Sequence, residues 1–296
     1  MRLLIEALGF GIASGAVVAL GAVGFTVQFG ISNLLNIAYG SLMTLAAYIG
    51  YALLQLNLNV WLVLLLVSAV IGIASVAFNR LLISPLARRA TGFVGMVIVT
   101  VSAGIILQYI IVAVAGASAR SYGQQSGSTL KFGDVILTTS QLAIIGMTAA
   151  LMLAFHLLLT RTTLGRAMRA TSTNRNLARG CGIRTERIID VTWLLSGLMC
   201  GAAGVALAIT TVSFDFTLGP TFLIYMIAAA VLGGVGQPYG AMLGGLVVGI
   251  ASQVAGAYWS PAYQDVVAFG LLIVMLLVRP RGLFPGGAAA SRSLAG

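Results

Sequence analysis

Polar side chains that could do chemistry are scarce in this sequence, and their densest cluster reads GISNLLNIAYGSLMT between positions 30 and 44. Asn33, Asn36, Tyr39 and Ser41 interrupt an otherwise apolar stretch. Buried amides and hydroxyls need hydrogen-bond partners or a wet cavity, and Asn36 and Tyr39, three positions apart, share one helix face. The cluster therefore predicts either the lining of a pathway for a polar solute or hydrogen bonds between helices.

A second polar set lies further along the chain. Thr100, Ser102 and Gln108 fall in one apolar run, and the pattern G-I-x-x-Q that ends at Gln108 recurs at Gln253. Transporters are often built from internal repeats. We therefore add these four residues to the candidate pathway, with helix packing as the alternative.

Several kinds of active site are excluded by what the sequence lacks. It contains no G-x-x-x-x-G-K-[ST] loop, so it does not bind ATP through a phosphate-binding loop. His156 is the single histidine and cannot build a catalytic triad or a metal site alone. Cys181 and Cys200 have neither disulfide-framework nor metal-ligand spacing. We expect no catalytic residue, no metal and no cofactor.

The acidic residues argue against ion coupling. Proton- or sodium-coupled carriers usually bury carboxylates in the middle of the membrane. Here each carboxylate falls in a loop or near the end of an apolar run: Glu6, Asp134, Glu186, Asp190, Asp215 and Asp265. This pattern favours a transporter driven by a partner, or a passive channel.

A basic loop of about 160–187 is the other unusual feature. Small residues lie between its arginines, which predicts a short amphipathic helix from Gly165 to about Ser172 and a second one ending near Arg179. A short helix with small apolar side chains suits the groove of a partner. The alternative is a solvated loop that only sets topology. The residues expected to dock the partner are Gly165, Arg166, Ala167, Arg169, Ala170 and Gly182.

Composition sets the frame in which these residues must act. The chain has 296 residues, of which 59% are hydrophobic and 7% charged, whereas soluble domains carry about 25% charged residues. Its surface must therefore be solvated by lipid. The net charge of +10 lies in short gaps between apolar runs, which fits the positive-inside rule and not the clustered cations of a nucleic-acid-binding face.

Apolar runs long enough for membrane helices, about 20 residues, recur along the whole chain. They predict an all-α fold, a polytopic transmembrane helical bundle in a single domain, 1–296, with eight or nine segments of which some are broken or re-entrant. No alternating strands of a membrane barrel are present. The runs cover 8–29, 35–56, 60–83, 93–115, 139–159, 188–212, 220–235, 240–257 and 264–279.

The arginines indicate how the helices are oriented in the membrane, and the glycines indicate where the helices pack closely. Arg88 and Arg89, the 160–187 loop, and Arg279 and Arg281 are expected in the cytoplasm, and the loop 116–138 in the periplasm. Nine spans would put the N-terminus outside, eight inside. Glycines four apart let membrane helices approach closely. Such pairs are Gly11/Gly15, Gly197/Gly201, Gly240/Gly244 and Gly245/Gly249.

Taken in order, the motifs resemble those of the branched-chain amino acid ABC permeases of the LivH type, over nearly the whole chain. The matching stretches are LNIAYG at 35–40, GRAMRA at 165–170 with Gly182-Ile183, LGGVGQPYGAMLGG at 232–245, YQD at 263–265 and RPRG at 279–282. The first departs from the family's I-N-x-A-H-G at Tyr39, where the family has His.

The resemblance implies the permease subunit of an ATP-driven importer in the bacterial inner membrane, with no enzymatic activity of its own. Its implied partners are a homologous second permease subunit, two cytoplasmic ATP-binding subunits and a periplasmic substrate-binding protein, besides membrane lipid. Its implied substrates are leucine, isoleucine and valine. Urea, short amides or another small polar solute, and a stand-alone channel, stay open as alternatives, and the docking loop would distinguish the channel.

Overall fold

The computed structural model describes residues 2–88, 92–123, 129–132, 135–279 and 282–284. Arg89, Asp134 and Arg281, which entered the charge argument above, lie outside these ranges. So do parts of the expected 116–138 loop.

Helices make up most of the described chain. They are α1 (Arg2–Ser32), α2 (Ala38–Leu54), α3 (Val60–Phe78), α4 (Ser84–Arg88), α5 (Phe93–Ala115), α6 (Thr139–Arg161), α7 (Thr163–Thr173), α8 (Arg175–Gly180), α9 (Thr185–Thr210), α10 (Leu218–Gly233), α11 (Pro238–Tyr258) and α12 (Tyr263–Val278). A π-helical turn, Asn79–Ile83, joins α3 to α4. An antiparallel hairpin of β1 (Thr129–Phe132) and β2 (Val135–Thr138) precedes α6. The predicted helical bundle is confirmed, with this hairpin as a small addition.

Nine of these described segments match the nine predicted apolar runs. Six are long and apolar enough to cross a membrane, with α3, the π-turn and α4 counting as one span to Ala87. Three shorter apolar helices, α2, α10 and α12, complete the set. Before α2 the chain leaves the helix over residues 33–37, where the sequence suggested a broken segment.

The centre of the bundle is formed by α1 and α9. In each of them 83% of the most apolar window is buried, against 22% in α5 and in α6. Because α5 and α6 expose apolar side chains on most of their surface, they form the periphery, as expected for helices that meet lipid. The central helices are therefore the ones able to position an internal site.

Glycines set the distance between these helices. Gly11 and Gly15 lie against Ile250 and Leu246 of α11, and Gly249 in turn lies against Gly15, so α1 and α11 run antiparallel in close contact. The two other predicted pairs also lie at close helix contacts. Gly197 and Gly201 of α9 pack against α3, and Gly240 and Gly244 of α11 pack against α10. The predicted packing role of all four pairs is confirmed.

The connections divide the bundle into two ends. Arg120 and Phe214 exchange backbone hydrogen bonds of 2.8 Å, so the chain after α5 and the α9–α10 connection share one end, which we name the far end. Gly30 lies against Gly236 at the other. That other end carries α7 and α8, because α6 leads away from the far end and α9 returns to it. We name it the basic end, and α1 begins at the far end.

Candidate functional site

A cavity of about 440 Å³ opens at the far end of the bundle. Six helices contribute to it, α1, α6, α9, α10, α11 and α12, together with Ala119 and the α9–α10 connection. One part of its wall is polar and another apolar. The polar part includes Ser14, Asp215, Tyr225, Ser252, Gln253, Gln264 and Asp265.

The polar wall is organised by two side-chain pairs from α10, α11 and α12. The hydroxyl of Tyr225 donates to Oδ1 of Asp265 at 2.5 Å, and the amide of Gln264 donates to Oε1 of Gln253 at 3.3 Å. On α11, Ser252 is 4% exposed and its hydroxyl has no hydrogen-bond partner in the described protein. A buried hydroxyl without a partner costs about 1–3 kcal/mol, so this oxygen is available to a ligand.

Asp215 has a different environment. Its Oδ1 accepts from the backbone N–H of Thr217 at 2.9 Å and from the Thr217 hydroxyl at 2.6 Å. These bonds shape the turn into α10, as side-chain carboxylates often do in turns. Asp215 thus serves the turn and also adds negative charge to the cavity. Asp265 accepts from one tyrosine hydroxyl, so its carboxylate can accept further hydrogen bonds from a ligand.

The apolar wall faces this polar group. Phe10 and Val18 of α1, Leu207 of α9, Phe214 and Phe222 supply aliphatic and aromatic surface. None of the described residues that line the cavity is basic. Two carboxylates beside such a surface suit a small molecule that carries a cationic group and an aliphatic part.

Toward the basic end, α1, α2 and α9 bury a polar cluster. The Tyr39 hydroxyl donates to the backbone oxygen of Ser196 at 3.3 Å, and the Ser196 hydroxyl donates to Oε1 of Gln28 at 3.1 Å. Tyr39, Ser196 and Gln28 therefore form one buried polar cluster where α1, α2 and α9 converge. In the α1–α2 connection, the side chain of Asn36 is also buried, with neither amide atom partnered in the described protein.

The sequence-predicted pathway residues fall into three places. Asn36, Tyr39, Ser41 and Thr100 are all buried around the α1–α2 connection; Thr100 accepts from the Ile37 backbone N–H at 3.3 Å. Gln253 lies in the cavity.

The remaining three pathway candidates are elsewhere. Ser102 is exposed and Gln108 half-buried on the peripheral α5, and the structure does not bring them to the cavity. Asn33 is exposed at the end of α1, with a φ of 52°, and borders a smaller hollow of about 280 Å³ at the basic end. The pathway role of the whole set stays a prediction.

The basic segment folds into the two predicted short helices. The side chain of Thr162 caps α7 and that of Asn174 caps α8, each satisfying backbone N–H groups at a helix start. Gly165, Met168 and Thr171 are buried on one face of α7. The opposite face exposes Arg166, Arg169 and Ala170, while Ala167 is half-buried, and Gly182 has a φ of 83° that favours glycine.

Two features of this end were not anticipated. Leu177 on α8 is 65% exposed among arginines, and an exposed leucine there is suited to a partner's apolar groove. Burial, and next the charge of Arg179, lower the pKa of the Arg175 guanidinium. Cations crowded in this way favour an acidic partner surface.

A clamp next to α7 and α8 also went unnoticed in the sequence. Asp190 of α9 accepts from Nε and Nη2 of Arg80 at 2.9 and 2.7 Å, and from the Asn79 amide at 3.0 Å. Arg80 and Asn79 belong to the π-helical turn, and π-turns are frequent at functional sites. In the sequence, a charged residue at the end of an apolar run indicates only the orientation of that run in the membrane. The pairing of Asp190 with Arg80 could therefore not be predicted.

Within the ranges that the structure describes, no three His, Cys, Asp or Glu side chains lie close enough to hold a metal ion. His156 hydrogen-bonds Tyr239 through Nδ1 at 2.8 Å, far from the cavity wall.

The chain is similar to known permease components over most of its length. A family model described as "Branched-chain amino acid transport system / permease component" matches residues 7–276. The high-affinity branched-chain amino acid transport system permease protein LivH of Salmonella typhimurium is 32% identical over 296 aligned residues, which cover 92% of each protein. The corresponding protein BraD of Pseudomonas aeruginosa is 30% identical, over 92% of this chain and 93% of its own.

A solved structure shares the fold at low sequence identity. A chain of PsaBC from Streptococcus pneumoniae, in complex with Fab, superposes with a TM-score of 0.53 at 15% identity. The superposition covers all of this chain and 96% of the other.

Proposed function

The chain belongs to the family of permease components of branched-chain amino acid transport systems, and from that premise we propose that it carries leucine, isoleucine or valine through the inner membrane. It is a multi-pass membrane subunit and not an enzyme. Its transport requires ATP-binding and substrate-binding partners.

The cavity at the far end is the observation that carries the choice of substrate. A branched-chain amino acid is a zwitterion with an aliphatic side chain. The Asp265–Tyr225 pair is placed to accept its ammonium group, the free Ser252 hydroxyl can donate to its carboxylate, and Phe222 and Leu207 can pack on its side chain. The volume of about 440 Å³ lies in the range of small-molecule sites, roughly 300–1,000 Å³.

The two ends of the bundle fit a substrate delivered from the periplasm and ATP hydrolysis in the cytoplasm. We assign the basic end to the cytoplasm, following the positive-inside rule, and the far end to the periplasm. The cavity then faces a periplasmic binding protein, while α7 and α8 face the ATP-binding subunits. A second, homologous permease subunit and two ATP-binding subunits complete the proposed assembly.

A short amide or urea is the second candidate substrate. The Gln253–Gln264 pair offers the donors and acceptors that an amide would use. Two carboxylates in the wall disfavour this choice, because neutral urea gains little from them. A stand-alone channel is disfavoured by the exposed face of α7 and α8, which a channel would not need.

Uptake by the complete complex in proteoliposomes tests the proposal. We expect ATP-driven leucine uptake that excess isoleucine suppresses and excess urea or 4-methylpentanoate, which lacks the ammonium group, does not. Asp265→Asn should raise the KM for leucine several-fold, with Asp215→Asn as the comparison because Asp215 already serves the turn into α10. Suppression by urea, or equal competition by 4-methylpentanoate, would assign the cavity to another solute.

A further inference from the structure

One face of α1 runs from the cavity into the buried polar cluster. Phe10, Ser14 and Val18 line the cavity and follow each other four positions apart, which keeps them on one side of a helix. The same side continues through Gly21 to Gln28. A single stripe therefore joins the cavity at the far end to the polar cluster near the basic end.

The stripe is closed below Val18 by a methionine. Met226 of α10 is fully buried, and it follows Tyr225, which lines the cavity. A Cβ placed on Gly21 would clash with its sulfur. In this packing, glycine at 21 leaves the space in which the Met226 side chain lies across the α1 stripe.

One turn further, Tyr39 closes the stripe in the same manner. A Cβ at Gly24 would overlap the Tyr39 hydroxyl, and the backbone oxygen of Ser196 lies 3.2 Å from that position. Tyr39 is 1% exposed, its ring meets Phe25 edge to face at 5.8 Å between centroids, and its hydrogen bond to Ser196 is long, 3.3 Å. Met226 of α10 and Tyr39 of α2 therefore each fill the space beside a glycine of α1.

Beyond Tyr39 the packing leaves polar groups unpaired. Nε2 of Gln28 and both amide atoms of Asn36 are buried without a partner in the described protein. Burial of a polar group without a hydrogen-bond partner is unfavourable relative to its solvated state. A conformation that opens this section to water would recover that free energy. Hydration of these groups therefore favours an open conformation over the observed closed packing.

We propose that Met226 and Tyr39, lying on Gly21 and Gly24, form the closed gate of a pathway that follows this face of α1 from the cavity to the basic end. The inference rests on the proposed function as a permease. Methionine is suited to such a gate because its unbranched side chain changes rotamer readily. Tyr39 is suited because the hydrogen bond of its hydroxyl to the Ser196 backbone oxygen is long.

The test measures leak of leucine from loaded proteoliposomes that contain the complete complex without ATP. Met226→Ala should increase the leak several-fold over the parent complex. Ile71→Ala is the control, since Ile71 is also fully buried but packs from α3 against Gly201 of α9. A leak that is the same in both variants and the parent, with ATP-driven uptake retained, would overturn the gate and leave the proposed function standing.

A second variant covers the case in which Met226→Ala does not assemble. Met226→Cys, in a complex whose Cys181 and Cys200 are replaced by serine, should react with a small charged thiol reagent only during ATP turnover, and uptake should then stop. A thiol that stays unreactive during turnover overturns the gate. A parent complex that moves no amino acid with ATP present would instead contradict the proposed function.

Discussion

At the residue scale, the sequence left two roles open for Thr100. It was predicted to line a pathway or to join helices. In the structure its hydroxyl accepts from the N–H of Ile37 and lies 3.2 Å from the oxygen of Leu35, both in the unwound connection between α1 and α2. Because this link has left the helix, its backbone groups need side-chain partners in an apolar environment.

Thr100→Val should therefore destabilise the chain by about 1–3 kcal/mol, the cost of leaving the N–H of Ile37 unpaired. Thr100→Ser keeps the hydroxyl and should unfold like the parent. Thermal unfolding of the purified complex measures both. If Thr100→Val unfolds at the parent temperature but loses uptake, Thr100 contacts the solute and does not hold the link.

At the element scale, the membrane helices could be predicted well because length and apolarity are properties of a continuous segment. The start of α5 at Phe93 and its end at Ala115 match the predicted run. The π-turn at Asn79 to Ile83 could not be predicted, because its bonding with Asp190 joins positions over a hundred residues apart. The cavity was missed for the same reason, since its wall comes from six helices.

We predict that the two short helices of the basic segment, α7 and α8, dock the ATP-binding subunits. Ala170 and Leu177 are exposed on α7 and α8, whereas Ala167 partly faces the bundle. Ala170→Trp and Leu177→Ala should each lower substrate-stimulated ATP hydrolysis by the assembled complex several-fold, because docking in a groove depends on side-chain volume. Arg166→Lys keeps size and charge and should have a smaller effect.

Normal coupling in both Ala170→Trp and Leu177→Ala complexes would assign these helices to topology alone. Assembly is followed separately, by co-purification of the ATP-binding subunits. Loss of co-purification with an intact permease would also support docking at α7 and α8.

At the scale of the whole molecule, the fold separates two functions along one axis. The far end holds an acidic cavity with an apolar wall, and the basic end holds two exposed helices among arginines. Between them, α1 is buried along most of its length and carries residues of both the cavity and the polar cluster. A motion passed from α7 and α8 to the packing around α1 would therefore act on the solute path directly.

Sided labelling of single cysteines along α1 tests this account most directly. In a complete complex whose Cys181 and Cys200 are replaced by serine, a cysteine at Ser14 should react with a membrane-impermeant thiol reagent from the periplasmic side at rest. A cysteine at Gln28 should be protected at rest and react during ATP turnover, whereas one at Ala16, buried on another face of α1, should stay protected throughout. Protection of the cysteine at Gln28 in every state would contradict a pathway along α1.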